Sequence, residues 1–192
     1  TTNNPNLTCI SVDDTAYSNT NWINIDPQSF FSTTCGVYLS LQGIMDLATP
    51  SLGSTGKAIH VRANADIPDL SVYGIGVANN GGGSDGEEYN FDAISVLAGE
   101  DILVARDITV LTAYFAGCFS QFEHILLATS AISQNGNDAI ELYLNGSVIE
   151  TFGDVNVNPD TYGAGCFADP LCWDYEDAWA FKDPSGTYVS SE

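Results

Sequence analysis

The chain has 192 residues, 44% of them hydrophobic, with four Lys or Arg against 25 Asp or Glu and a formal net charge of −21. That length suits one domain or one domain plus an arm, the composition is globular and not disordered, and no stretch approaches the roughly 18 apolar residues of a membrane helix. The charge excludes nucleic acid and anionic membrane surfaces as partners, since both need clustered cations and Lys57, Arg62, Arg106 and Lys182 are all the chain carries.

Residues 1–34 are rich in Asn, Asp, Ser and Thr with scattered aromatics, Tyr17, Trp22, Phe30 and Phe31. They read as an N-terminal arm, with one short strand at Trp22, Ile23 and Ile25, able to bind a partner or donate a strand to it. The second region, 35–192, is a run of short strands. Val37, Leu39 and Leu41 alternate with Tyr38, Ser40 and Gln42 at period two. Ile59 and Val61 continue the pattern, followed by Leu70 to Val77, Tyr89 to Phe91, and Ile102 to Ala105. Ile108 to Ala116 is the one helix candidate, with Ile108, Leu111 and Phe115 at helical spacing. His124 to Ala128 forms the next strand. Asn145-Gly146 then separates Ala139–Leu144 from Ser147–Phe152. This is a hairpin signal, because both turn residues must take positive φ. Ile140, Leu142 and Leu144 share one face, and Glu141 and Tyr143 the other. A last strand holds Ala178 to Phe181. The pattern predicts an all-β antiparallel sandwich of about eight or nine strands with one short helix.

Five cysteines are present, none in a C-x-x-C pair. With the sequons at Asn6 and Asn145, they favour an oxidising, extracellular or cell-surface setting. The preferred disulfides are Cys9–Cys35 and Cys166–Cys172. Cys118 is left over, either buried as a small hydrophobe or paired with another chain. The high negative charge points the same way: it keeps copies apart until salt screens it, over about 10 Å at 0.1 M salt. An acidic soluble protein of no special habitat is the alternative. The chain opens at Thr1 without a signal peptide, as a mature product or a fragment would.

The run Gly136-Asn-Asp-Ala-Ile-Glu-Leu-Tyr-Leu-Asn-Gly-Ser-Val-Ile-Glu-Thr-Phe-Gly153 resembles the signature of the lamin-tail domain, as does Trp173-Asp-Tyr-Glu-Asp-Ala-Trp-Ala-Phe-Lys182. Gly56-Lys-Ala-Ile-His-Val, Asp69-Leu-Ser-Val-Tyr-Gly and Asn79-Asn-Gly-Gly-Gly resemble the first half of the secreted microbial form. The resemblance spans roughly Val37 to Lys182 and implies an immunoglobulin-like β-sandwich. It implies an interaction or accessory module without an active site to carry over. The chain departs from the family in lacking a basic surface and in an insertion carrying Cys166 and Cys172. It also stops at Glu192, where secreted relatives run on into a further strand; a missing strand would leave a sheet edge open.

No catalytic set is evident. His60 and His124 lie in strands without a nucleophile elbow or a metal-spaced partner, and both read as structural. Glu87-Glu88 and Glu176-Asp177 read as solvated loop ends. Gly81-Gly-Gly-Ser-Asp-Gly lacks the Lys and helix of a phosphate loop and reads as a flexible hairpin tip. Asp154, Asn156, Asn158 and Asp160 place oxygens at every second position, as the first ligands of a calcium loop do. Pro159 stands where such a loop has glycine, and Gly165 where it has a bidentate Glu. The expectation is either Ca²⁺ bound weakly, in the ~10⁻⁴–10⁻³ M class, or a ladder of Asx turns without metal; no other cofactor is implied. Trp173, Tyr175 and Trp179 share strand parity and could stack on a ligand or fill the core.

These features predict a non-enzymatic extracellular structural or adhesion module. It would self-associate, as a fibre or surface-layer protomer, or bind a surface protein or glycan. The alternative is a calcium-dependent glycan-binding accessory module of a secreted enzyme. No membrane insertion is expected.

Overall fold

The computed structural model describes residues 2–4, 7, 9–27, 29–32, 35, 38–47, 53–162 and 173–191. The described residues are mostly β: twelve strands in three sheets, with two short helices. Chain contacts divide it into two units, Thr1–Tyr38 and Leu39–Glu192.

In the first unit, β1 (Cys9–Ser11) pairs in parallel with β2 (Phe30–Ser32). Parallel strands need a crossover, and helix α1 (Thr15–Asn21) lies within it. Asp14 starts the helix: its side chain accepts the Tyr17 N–H at 2.9 Å, satisfying one of the free donors of the first turn. The disulfide Cys9–Cys35 ties β1 to the residue beyond β2, as expected. The strand expected at Trp22 to Ile25 does not form. Trp22 instead ends α1, donating its N–H to the Ser18 carbonyl, and its ring meets Tyr17 and Phe31 edge-on.

The second unit holds two sheets. The larger runs β12–β11–β3–β4–β7–β8, built from β3 (Leu39–Leu47), β4 (Gly56–Ala63), β7 (Asp101–Ala105), β8 (His124–Leu127), β11 (Trp179–Lys182) and β12 (Tyr188–Ser191). The smaller runs β10–β9–β5–β6, from β5 (Tyr73–Ala78), β6 (Tyr89–Asn90), β9 (Ala139–Leu144) and β10 (Ser147–Phe152). The purely antiparallel expectation needs correction, because β7 and β8 are parallel, as are β1 and β2. The crossover from β7 to β8 carries the expected helix, α2 (Ile108–Phe115), with Asp107 accepting the Val110 N–H as its cap. Val37 lies outside the described residues. Leu70–Val72, expected to begin a strand, is a single 3-10 turn held by Asp69. β12 was not expected; it pairs along β11.

Register assigns the faces. On the larger sheet Leu39, Leu41, Ile44, Ile59, Val61, Ile102 and Val104 share one fully buried face. A bulge after Leu41 keeps Ile44 on it. The opposite face carries Met45, Ala58, His60, Leu103 and Ala105. Leu111 and Phe119, from α2 and the turn after it, cover Ala58, Leu103 and Ala105. On the smaller sheet Ile75, Val77, Ile140 and Leu142 share a face and are buried.

The Asn145-Gly146 hairpin forms with φ of 50° and 77° at its two turn residues. Glu141 and Tyr143 face away from Ile140 and Leu142 yet are also buried. Residues 84–88 lie over that side: Tyr143 Oη meets Ser84 Oγ at 2.9 Å and donates to Glu141 Oε2 at 2.9 Å. Gly76 makes the approach possible, since a Cβ there would sit 2.4 Å from the Gly86 carbonyl. The Gly-rich segment before them is correspondingly no free tip: Gly83 donates to the Val155 carbonyl.

Candidate functional site

Helix α2 covers only part of its side of the larger sheet. Beyond it, β11, β3 and β4 are left with a shallow groove of about 140 Å³. Its walls are Trp179 and Phe181 from β11, Met45 from β3 and Phe122 from the segment after α2; Gly43 and Ala58 keep its floor low. Strand alternation places these residues. Trp179 pairs with Met45 and Phe181 with Gly43, so both aromatics rise on the side opposite Ile44 and the core. They remain 38% and 43% exposed, and Val189, opposite Phe181 on β12, extends the apolar strip at 36%. In a chain of net charge −21, this lining contains no acid.

His60 forms the polar rim. Its Nε2 lies 2.8 Å from Asp101 Oδ1, and Arg62 Nη1 donates to Asp101 Oδ2 at 2.7 Å. The ring meets Phe122 edge-on at 5.1 Å. Burial lowers the His60 pKa, outweighing the raising effect of Asp101. A histidine oriented by an acid is two thirds of a nucleophilic triad, but the groove-lining residues supply no hydroxyl or thiol. The chemistry this groove offers is desolvation of an apolar partner. His124, on β8, pairs separately with Glu100 at 3.0 Å.

Three of the four proposed calcium ligands accept hydrogen bonds within the protein. Asp154 Oδ1 accepts the Asn156 N–H and Asn158 Oδ1 accepts the Asp160 N–H, each at 2.9 Å, making two Asx turns. Asp160 Oδ2 accepts from Asn137 Nδ2 at 2.6 Å, and Asn156 is exposed. Among the described residues no group of three or more His, Cys, Asp or Glu is gathered as metal ligands.

The three aromatics do not share a surface. Tyr175 is completely buried, its hydroxyl donating to the Asp138 carbonyl at 2.9 Å, which removes it from any stacking role. Trp173 packs edge-on against Phe152. Only Trp179 reaches the groove. The shared parity fails because Trp173 and Tyr175 precede β11 and a turn with Asp177 at φ 55° intervenes. Asn145 sits exposed at the hairpin tip; Asn6, Cys166 and Cys172 lie outside the described residues. Cys118 is free and exposed, not buried as a small hydrophobe.

Sequence reasoning missed a buried polar cluster. Lys57 and Asp46 form an ion pair in the interior, and Lys57 Nζ also donates to the Gln134 carbonyl. Gln134 Nε2 donates to the Met45 and Ala58 carbonyls at 3.1 and 3.3 Å, while its Oε1 is buried without a partner. Asp138, fully buried, accepts the backbone N–H groups of Asn80 and Asn135 at 2.8 and 3.0 Å. Burial nevertheless raises its pKa. Parity was the available signal: Lys57 is two residues from Ile59 and Asp46 two from Ile44, so both point into the core.

Compared with family models, with curated proteins and with solved structures, the chain matches none.

Proposed function

We propose that this chain is a non-enzymatic extracellular structural module that self-associates, built on an immunoglobulin-like β-sandwich of lamin-tail type. The single observation carrying the association is the acid-free apolar groove walled by exposed Trp179 and Phe181. Its occupant is the N-terminal unit of a second copy. That unit exposes Tyr17, Trp22, Ile23 and Phe30, at 58%, 51%, 78% and 52%, an apolar set without a charged side chain. One chain thus exposes apolar side chains in both units, and a contact between unlike sites repeats head-to-tail into a ring, fibre or layer. The disulfide in this unit supports an oxidising exterior, and among the described residues no helix is long and apolar enough to cross a membrane. For the sandwich, the support is one buried apolar face on each sheet of the second unit, and Glu150 of β10 reaching the backbone of β3.

Salt should drive assembly, since it screens repulsion between copies of charge −21 while leaving apolar contact intact. Sedimentation at rising salt should show larger species for the intact chain. Removal of residues 1–34, Trp22→Ser with Ile23→Ser, or Trp179→Asp with Phe181→Asp should each abolish them. An unchanged size distribution in these variants would remove the reading.

A further inference from the structure

We propose that Lys57 and Asp46 become joined by an intramolecular isopeptide bond, Lys57 Nζ to Asp46 Cγ, formed by the folded domain on itself. The two residues stand directly opposite on β4 and β3. Their side chains are 9% and 6% exposed, on the core face of the sheet, and Nζ contacts Asp46 Oδ1. The carbon to be attacked is one bond behind that oxygen. Held so, amine and carboxyl react as an intramolecular pair, for which effective molarities reach roughly 10⁵–10⁸ M.

The surroundings suit the product better than the ion pair. An ammonium has three N–H donors, and the hydrogen bonds of Nζ go to Asp46 Oδ1 and the Gln134 carbonyl. An amide has one N–H, which the Gln134 carbonyl takes. The amide also removes two charges from an interior where each is held at a desolvation penalty.

The step balances without a co-reactant. A proton passes from the ammonium to the Asp46 carboxylate, giving an amine and a carboxylic acid. The nitrogen lone pair attacks Cγ, and the bond from Cγ to the protonated oxygen breaks. That oxygen leaves as water, taking a second hydrogen from Nζ. Nothing is oxidised or reduced.

A second lysine supplies the control. Lys182 Nζ contacts Glu150 Oε1, but these side chains are 17% and 20% exposed, so water reaches them. This pair is expected to stay ionic.

The test is the intact mass of the full chain made in bacteria, where the sequons stay unoccupied, read denatured and reduced. The expected result is a mass one water below that of the sequence. After chymotrypsin, which cuts at Leu47 and Leu52, fragments carrying Asp46 and Lys57 should remain joined. Lys57→Arg and Asp46→Ala should each restore the full mass. A wild-type chain at full mass would overturn the proposal, and that measurement needs no variant to fold. A missing water mapped elsewhere, such as a succinimide at Asp85-Gly86, would overturn it equally.

Discussion

Glu150 Oε2 accepts the backbone N–H of Leu41 at 2.9 Å, from 109 residues further along the chain. The bond answers a gap in the sheet. Pairing of β3 with β11 ends at Gly43, and a buried N–H without a partner is expensive. Glu150 comes from β10, itself bulged between Val148 and Glu150. Its other oxygen takes Lys182 Nζ and the Tyr188 hydroxyl. One carboxylate therefore links β3, β10, β11 and β12.

Glu150→Ala should lower stability by about 1–3 kcal/mol, the usual penalty for stranding a buried hydrogen-bonding group, discounted because the carboxylate is one-fifth exposed. Glu150→Gln should recover part of it, since the amide oxygen can still accept from Leu41. Urea denaturation of the three proteins measures both. A loss for Ala no larger than that of an exposed-loop substitution would show that the Leu41 N–H does not depend on this bond.

What the sequence made legible was local. Asn145-Gly146 specifies its turn through backbone φ alone, and Asp107 with Ile108, Leu111 and Phe115 specifies a helix within one segment. What it hid depends on distant partners. β1 and β2 are three residues each, too short for any periodicity, and pair across a crossover clamped by Cys9–Cys35. Trp22 and Ile23 have strand propensity, yet the Asp14 cap turns the preceding residues into α1 and leaves them without a strand to join. Glu141 reads as solvent-facing by alternation, and only the fold brings residues 84–88 over it. The groove was invisible for a related reason: Trp179 and Phe181 look like core residues until register places Ala180, not them, beside Ile44.

Reduction should separate the two units in stability. Cys9–Cys35 spans 26 residues, and closing a loop of that size stabilises by about 3–4 kcal/mol on the chain-entropy estimate. The first unit has two three-residue strands and a seven-residue helix, so little else resists that loss. Hydrogen exchange after mild reduction should show amides of Tyr17 to Trp22 deprotected while β3, β4 and β9 keep their protection. Equal protection before and after reduction would mean that the small unit is held by packing alone. The same samples, before reduction, should show Cys118 alkylated in the native protein, because it is free and exposed.

The His60–Asp101 pair makes a signed prediction about acid. Burial holds the folded-state pKa of His60 below 6.5 despite the carboxylate beside it. The unfolded chain therefore takes up a proton at a pH where the folded chain does not, and stability falls as pH drops through 6.5 toward the lowered folded value. Below that value both states carry the proton and the contribution stops growing. Denaturation midpoints between neutral pH and pH 5 should show this decline, and His60→Gln should flatten it. The neighbouring groups sharpen the test: Asp101 raises the histidine's pKa while Arg62 lowers it. Arg62→Gln should thus shrink the decline and end it at higher pH, and Asp101→Asn should enlarge it and extend it to lower pH. A His60 ring titrating above 6.5 by NMR would reverse the sign and show that the Asp101 carboxylate outweighs burial at the groove rim.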